Sequence, residues 1–110
     1  MAYDEQLAGR IRALLGNRAG LTEQKVFGGL AFLVGGNMAI AASGQGGILV
    51  RVDPEESDTL VATTPAEPME MRGRSMAGWL RVDTAAVADD AVLAEWVERG
   101  TGYAASLPPK

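Results

Sequence analysis

The sequence contains no cysteine and no histidine among its 110 residues. Without cysteine the chain has no disulfide, no thiolate nucleophile and no sulfur ligand for zinc, which is typical of a reducing compartment. Without histidine it lacks the side chain most often used as a general base and as a metal ligand. We therefore expect a non-enzymatic protein that binds no cofactor and no metal.

Features of secreted and membrane proteins are missing as well. Residues 1–5 are acidic and do not have the basic-then-apolar layout of a signal peptide. No apolar run approaches the length of about 20 residues that a membrane-spanning helix needs. We expect a cytoplasmic protein with no membrane partner.

The charge balance bears on nucleic-acid binding. The net charge is −4 and the isoelectric point is about 4.7, which disfavours DNA binding because that binding depends on Lys and Arg at the phosphates. One basic and aromatic cluster stands out, namely Arg72, Arg74 and Trp79. Base stacking on Trp79, with the arginines on phosphates, is kept as the alternative to a protein without direct nucleic-acid contacts.

Hydrophobic periodicity predicts an α+β domain. Apolar residues at helical spacing indicate a first helix over residues 4–15 and a last helix that Asp89 or Asp90 caps. Three or four strands follow the first helix, with glycine-rich turns at residues 35–37 and 43–47.

A middle helix should follow these strands. Asp53 is its expected cap, Pro54 its first residue, and its end should fall near Ala62. Two more strands then precede the last helix. The short connections predict a two-layer fold with a mainly antiparallel sheet and helices packed on it. We expect one domain over residues 1–105 and a C-terminal tail over residues 106–110.

Side chains alternate across each strand, so the predicted strands have two separate faces. The first face is large and branched and is the expected core: Phe32, Met38, Ile40, Ile48, Val50, Val52, Leu80 and Val82. The second face holds Ala31, Leu33, Ala39, Ala41, Leu49, Arg51, Trp79 and Arg81. This division assumes a three-residue hairpin loop, since a two-residue loop would exchange the faces of one strand.

The second face combines small and apolar residues with arginines at its edge. Platforms of this kind often bind a partner or a second subunit, and Trp and Arg are favoured anchors. We predict that Arg51, Arg74, Trp79 and Arg81 contact a protein partner, with a homodimer as one option. The alternative is that the last helix or the tail covers this face.

No motif in the chain indicates catalysis or cofactor binding. The glycines of residues 44–47 lack the spacing of a dinucleotide fingerprint, and the chain has no P-loop sequence. Acidic pairs lie at predicted helix starts, where carboxylates interact favourably with the helix dipole. Met69, Met71 and Met76 are expected to fill gaps in the core. We identify no catalytic, cofactor-binding or metal-binding residue.

Two glycine-punctuated phrases carry a family resemblance. They read Val26-Phe27-Gly28-Gly29, continuing to Gly36-Asn37-Met38, and Gly73-Arg74-Ser75-Met76-Ala77-Gly78-Trp79. In this order the phrases resemble the N-terminal domain of the TfoX/Sxy family, and the similarity extends from the first helix to the last. Two positions depart from the family pattern, which usually has methionine at Val26 and lysine at Ala77.

The resemblance implies an α+β domain with an antiparallel sheet, similar to secretion-chaperone-like folds. Full-length members of this bacterial family regulate natural competence, acting with the cyclic-AMP receptor protein at promoters, and they carry a C-terminal domain that this sequence does not contain. We therefore expect a small regulatory protein-interaction module. A small-ligand binder or an enzyme with an unrecognised pocket is the third interpretation.

Overall fold

The structure is a computed structural model that describes residues 3–26, 28–71 and 73–109. Its elements, in chain order, are α1 (Glu5–Leu15), β1 (Leu21–Val26), β2 (Gly29–Val34), β3 (Asn37–Ala42), β4 (Ile48–Arg51), α2 (Ser57–Thr63), β5 (Glu67–Met71), β6 (Arg74–Val82), a 3₁₀ turn (Thr84–Val87) and α3 (Asp90–Ser106).

The strands of the described chain form one six-stranded antiparallel sheet in the order β1-β2-β3-β4-β6-β5. Helix α3 packs on β2, β3 and β4, α1 packs on α3 and β3, and α2 packs on β5 and β6. The predicted α+β class and the predicted order of helices and strands are confirmed.

Side-chain caps fix the first and last helices where the sequence predicts. The Asp4 carboxylate accepts hydrogen bonds from the backbone N–H groups of Gln6 and Leu7 at 3.0 and 3.1 Å. The Asp89 carboxylate accepts one from the N–H of Ala91 at 2.8 Å. Each bond satisfies a helix N–H group that has no partner within the helix.

The middle helix starts later than predicted. The Asp53 carboxylate accepts from the Glu55 N–H at 2.9 Å, and the Asp53 carbonyl accepts from the Glu56 N–H at 2.8 Å. Asp53 therefore caps a turn, and α2 begins only at Ser57. The prediction of a helix starting at Pro54 was wrong because this cap closes a turn that comes before the helix.

The hairpin between β2 and β3 has a shorter loop than predicted. Asn37 pairs with Val34, so the loop is Gly35–Gly36 alone, and both glycines have positive φ angles of 60° and 84°. This is the backbone conformation that a two-residue hairpin requires and that glycine adopts without strain.

A one-residue shift in register follows in β3. Phe32 pairs with Ile40 while Leu33 pairs with Met38, which leaves Ala39 as the extra residue of a β-bulge. Ala39 joins the core and is fully buried, and Met38 is half-buried on the opposite face. The predicted faces of Met38 and Ala39 were therefore wrong, while beyond the bulge the core prediction for Ile40 is confirmed.

The core lies between the sheet and the helices. Its largest fully buried side chains are Trp96, Phe32, Leu7, Ile11, Ile40, Ile48, Leu80 and Leu93. Two methionines depart from the prediction that they fill this core. Met76 is 37% exposed, Met69 is half-buried in a surface cleft, and the side chain of Met71 lies outside the described residues.

Helix α3 approaches the sheet most closely at Gly100. A Cβ atom at this position would lie 2.4 Å from the carbonyl oxygen of Ala39 and 3.3 Å from a methyl carbon of Val50. Only glycine lets the helix lie so close to β3. In the described part of the chain, no helix is long and apolar enough to cross a membrane.

We expect Gly100→Ala to lower the free energy of unfolding by about 1–3 kcal/mol, because the new methyl group must push α3 away from the sheet. Alanine is the better helix former by about 1 kcal/mol, so a net loss reports the clash. Urea unfolding followed by circular dichroism measures the change.

Gly102→Ala is the matched control. Gly102 is an exposed residue of the same helix, and a Cβ there would meet no described atom within 4 Å. We expect this variant to be more stable by up to about 1 kcal/mol. An equal increase in the free energy of unfolding in Gly100→Ala and Gly102→Ala would contradict the close packing of α3 on β3.

A second prediction concerns pH. Arg12 donates two hydrogen bonds to the Glu23 carboxylate, at 2.8 and 2.9 Å, and these bonds lower the pKa of Glu23 in the folded state. Since the folded pKa is below the unfolded one, the stabilisation is present above the unfolded pKa of about 4.3. It is lost as the pH falls through the lower, folded value.

We therefore expect Glu23→Gln to lower the urea midpoint near pH 7, only slightly because the pair is exposed and weak, and to lower it less near pH 3. Parallel urea titrations of the variant and the parent test this. Glu55→Gln, in an exposed turn, is the control. A loss of stability in Glu23→Gln that increases toward low pH would contradict the expected pH dependence.

Candidate functional site

Cross-strand pairing brings three of the four predicted contact residues together. Arg51 of β4 pairs with Trp79 of β6, and Leu49 pairs with Arg81. Directly paired residues share a face of the sheet, and this face is opposite to that of the buried neighbours Val50 and Leu80. We call Leu49, Arg51, Trp79 and Arg81 the quartet. All four are half-buried.

Arg51 lies close to two aromatic rings. Its guanidinium carbon lies 5.1 Å from the ring centroid of Trp79 and 5.6 Å from that of Tyr103 in α3. Both distances are within the range of cation–π attraction, which is worth about 0.5–1 kcal/mol at exposed sites. The last helix therefore reaches the quartet at Arg51 but leaves Trp79 and Arg81 partly accessible.

Arg51 has no carboxylate partner among residues 3–26, 28–71 and 73–109, where ion pairs within 4.0 Å involve only Arg10, Arg12, Arg18 and Arg99. Two aromatic rings lie within 6 Å of the Arg51 guanidinium carbon, and the five N–H groups of a guanidinium are all hydrogen-bond donors. A guanidinium in this state is preorganised to bind a carboxylate.

The backbone before Trp79 is fixed by a bond to α2. Gly78 has a φ of 85°, its N–H donates to the hydroxyl of the buried Ser57 at 2.7 Å, and its carbonyl accepts from the Val52 N–H at 2.8 Å. A Cβ at Gly78 would lie only 3.0 Å from the Val52 carbonyl oxygen. Glycine at position 78 therefore determines the backbone conformation from which the side chain of Trp79 projects.

Arg81 lies in a more acidic environment than Arg51. It donates a hydrogen bond to the side-chain carbonyl of Gln45 and pairs across the strands with Glu67 of β5. Glu67, Glu70 and Asp83 line a surface depression together with Arg81. Three acidic residues and one basic residue therefore line this depression, so its net formal charge is negative.

A cleft of about 330 Å³ adjoins the quartet on the same face of the sheet. Leu49 and Arg81 form part of its wall, and Met38, Met69 and Gln45 line it as well. The β-bulge explains the presence of Met38, which the sequence placed in the core. In the described part of the chain, no group of three or more carboxylates is placed to hold a metal ion.

Arg74 lies apart from the other predicted contact residues. It is exposed at the start of β6, five residues before Trp79. Arg72 lies outside the described residues. Arg74 pairs with Met71 of β5, whereas Trp79 pairs with Arg51 of β4, so the two residues have different strand partners.

Sequence reasoning missed Tyr103, Ser57 and Glu67 as parts of the site. Tyr103 and Ser57 belong to helices, and their contacts with β4 and β6 depend on how those helices pack on the sheet. Glu67 begins β5 and is followed by Pro68, a residue type that is uncommon inside strands. The alternation of apolar and polar residues around Glu67 is too short to predict that this residue pairs with Arg81.

The described residues thus define an α+β domain with an arginine- and tryptophan-bearing sheet face. The family model of the TfoX N-terminal domain matches residues 13–104, and the chain belongs to this family. The resemblance seen in the two glycine-punctuated phrases is confirmed. No curated protein and no solved structure shows a significant match to the chain. Ala77, where the family usually has lysine, is exposed in β6.

We expect Ser57→Ala to lower the free energy of unfolding by about 1–3 kcal/mol, because the buried Gly78 N–H loses its hydrogen-bond acceptor. Amide hydrogen exchange at Gly78 and Trp79 should also become faster, and mass spectrometry or NMR can measure it. Ser75→Ala, at an exposed position of the same strand, should change neither quantity. Unchanged stability and exchange in Ser57→Ala would show that α2 does not position Trp79.

Proposed function

We propose that this domain is a cytoplasmic, non-enzymatic protein-interaction module. It acts through protein contacts in the regulation of transcription or of natural competence. The quartet of Leu49, Arg51, Trp79 and Arg81 is its contact surface. The observation that supports the proposal is a partly accessible tryptophan, fixed by backbone bonds at Gly78 and flanked by two arginines. Trp and Arg are the residues most enriched among the dominant contacts of protein interfaces.

The rigidity of the surface favours binding. The backbone next to Trp79 is fixed by the hydrogen bonds of Gly78, and the Trp79 ring contacts the guanidinium of Arg51. Ordering a side chain on binding costs free energy, and a residue that is already ordered avoids much of that cost. The cleft beside Arg81 offers room for a partner's apolar side chain, between Leu49 and the methionines Met38 and Met69.

A protein partner fits the charges better than a nucleic acid does. Glu67, Glu70 and Asp83 line the depression beside Arg81, so a phosphate backbone that approached this end of the quartet would meet carboxylates. Single-stranded binding sites need a positive groove with aromatic platforms along it. The mainly acidic lining of this depression disfavours such a groove.

The family also supports a role in regulation. The match to the TfoX N-terminal domain spans residues 13–104, and the family resemblance implies regulators that act through protein contacts. Fold and family alone do not assign a function, so the proposal depends on the contact surface.

We expect Trp79→Ala to reduce capture of the partner from native lysate by at least about tenfold, as is typical of an interface hot spot. Captured proteins are identified by mass spectrometry and then titrated in purified form. Met76→Ala, which removes a 37% exposed side chain from the same strand, is the matched control and should retain binding.

Two outcomes would contradict the proposal. The first is a folded Trp79→Ala variant with unchanged partner binding and unchanged solution mass. The second is salt-sensitive affinity for DNA or RNA that Trp79→Ala abolishes, which would support direct nucleic-acid binding instead.

A further inference from the structure

The sheet face that carries the quartet is electrically polarised. Arg51 is its positive end, stacked between Trp79 and Tyr103 and without a carboxylate partner in the described parts of the chain. Glu67, with Glu70 and Asp83 nearby, is its negative end. Strand β6 lies between the strands of these two ends.

The two ends are far enough apart to act separately. Arg51 and Glu67 lie two strands apart and two residues out of register, because Arg51 pairs with Trp79 and Glu67 pairs with Arg81. Strand spacings of about 4.8 Å and a rise of about 3.3 Å per residue place their Cα atoms roughly 12 Å apart. Trp79 and Arg81 occupy the middle.

Resting on the proposed function, we infer that the partner bound by the quartet is a second copy of this chain. A two-fold interface presents the same patch on both subunits, so a patch with separate positive and negative ends is complementary to itself. A two-fold axis in the plane of the face and near β6 brings Arg51 of each copy onto Glu67 of the other. Trp79 and Arg81, which flank the centre of the patch, then both lie close to the axis, and each meets its own counterpart.

Arg51, Trp79 and Leu49 gain from this pairing. The N–H groups of Arg51 receive the carboxylate that they lack in the single chain, and charge-assisted contacts of this kind are strong and directional. Glu67 is exposed, so its carboxylate is accessible to the Arg51 of a second copy. Trp79 and Leu49 supply the apolar centre that stable interfaces have.

The size of the domain is compatible with this interface. Its principal extents are 32 × 32 × 28 Å, and a stable interface of standard size buries about 800 Å² on each partner. A patch of that area is roughly 28 Å across and fits on this face of the sheet.

Charge reversal with mixing tests the inference. Arg51→Glu alone would oppose Glu67 of the second copy, and Glu67→Lys alone would oppose Arg51. We expect each variant by itself to dimerise at least about tenfold more weakly than the parent, because like charges in an interface are strongly unfavourable. An equimolar mixture should form a heterodimer, since both of its charge contacts are again between opposite charges.

Sedimentation velocity over a concentration series up to about 1 mM measures the association constants, and circular dichroism checks that each variant is folded. Arg99→Glu is the matched control. Arg99 also stacks on a tryptophan ring, with its guanidinium 4.8 Å from the centroid of Trp96, but it belongs to α3. This variant should dimerise like the parent.

Several outcomes would overturn the inference. They are a parent protein that stays monomeric throughout the series, variants that dimerise normally, and a mixture that fails to recover association. If the protein is monomeric but Trp79→Ala still loses a different protein partner, the proposed function stands and only the identity of the partner is wrong. If partner binding also survives Trp79→Ala, the proposed function fails as well.

Discussion

The close packing of α3 on β3 is the constraint on which the rest of the structure depends. At Gly100 the helix lies directly against the Ala39 carbonyl, with no room for even a methyl group. Trp96 and Val97 of the same helix lie in the core, and so does Ala39. The β-bulge places Ala39 and Ile40 on the core side of β3. Moving the helix outward would also withdraw Tyr103 from Arg51, so core packing and the sheet surface depend on the same contact.

The surface itself is built from backbone constraints as much as from side chains. Ser57 holds the Gly78 N–H, and Val52 bonds the Gly78 carbonyl, so β6 is fixed on both sides immediately before Trp79. The tryptophan then forms one wall of the stack around Arg51. These contacts explain in physical terms why glycine precedes tryptophan in the second glycine-punctuated phrase. Ala77 precedes Gly78 and takes no part in the two hydrogen bonds of Gly78.

Local signals in the sequence predicted the parts of the fold that depend on near neighbours. Apolar residues at helical spacing predicted the first helix, and Asp89 or Asp90 was the predicted cap of the last one, because both signals involve residues only a few positions apart. Alternation placed Arg51, Trp79 and Arg81 on one face of the sheet, as the pairing of β4 and β6 bears out. The face on which Met38 lies could not be predicted, because the β-bulge depends on how β3 packs against α3, and α3 lies far from β3 in the sequence. The same holds for Tyr103 and Glu67, whose neighbours are set by tertiary packing and by strand register.

The stack of Arg51 between Trp79 and Tyr103 joins the sheet surface to the C-terminal half of α3, and it makes the two thermodynamically linked. A ligand that binds the stacked guanidinium more tightly than the free one must also favour the docked form of this helix segment. By reciprocity, anything that secures the segment raises affinity at the surface by the same factor. The carbonyl of Pro108, which accepts a hydrogen bond from the buried Asn37 at 3.0 Å, lies just beyond this helix. Residues that follow α3 can therefore tune binding at the sheet surface without touching the ligand.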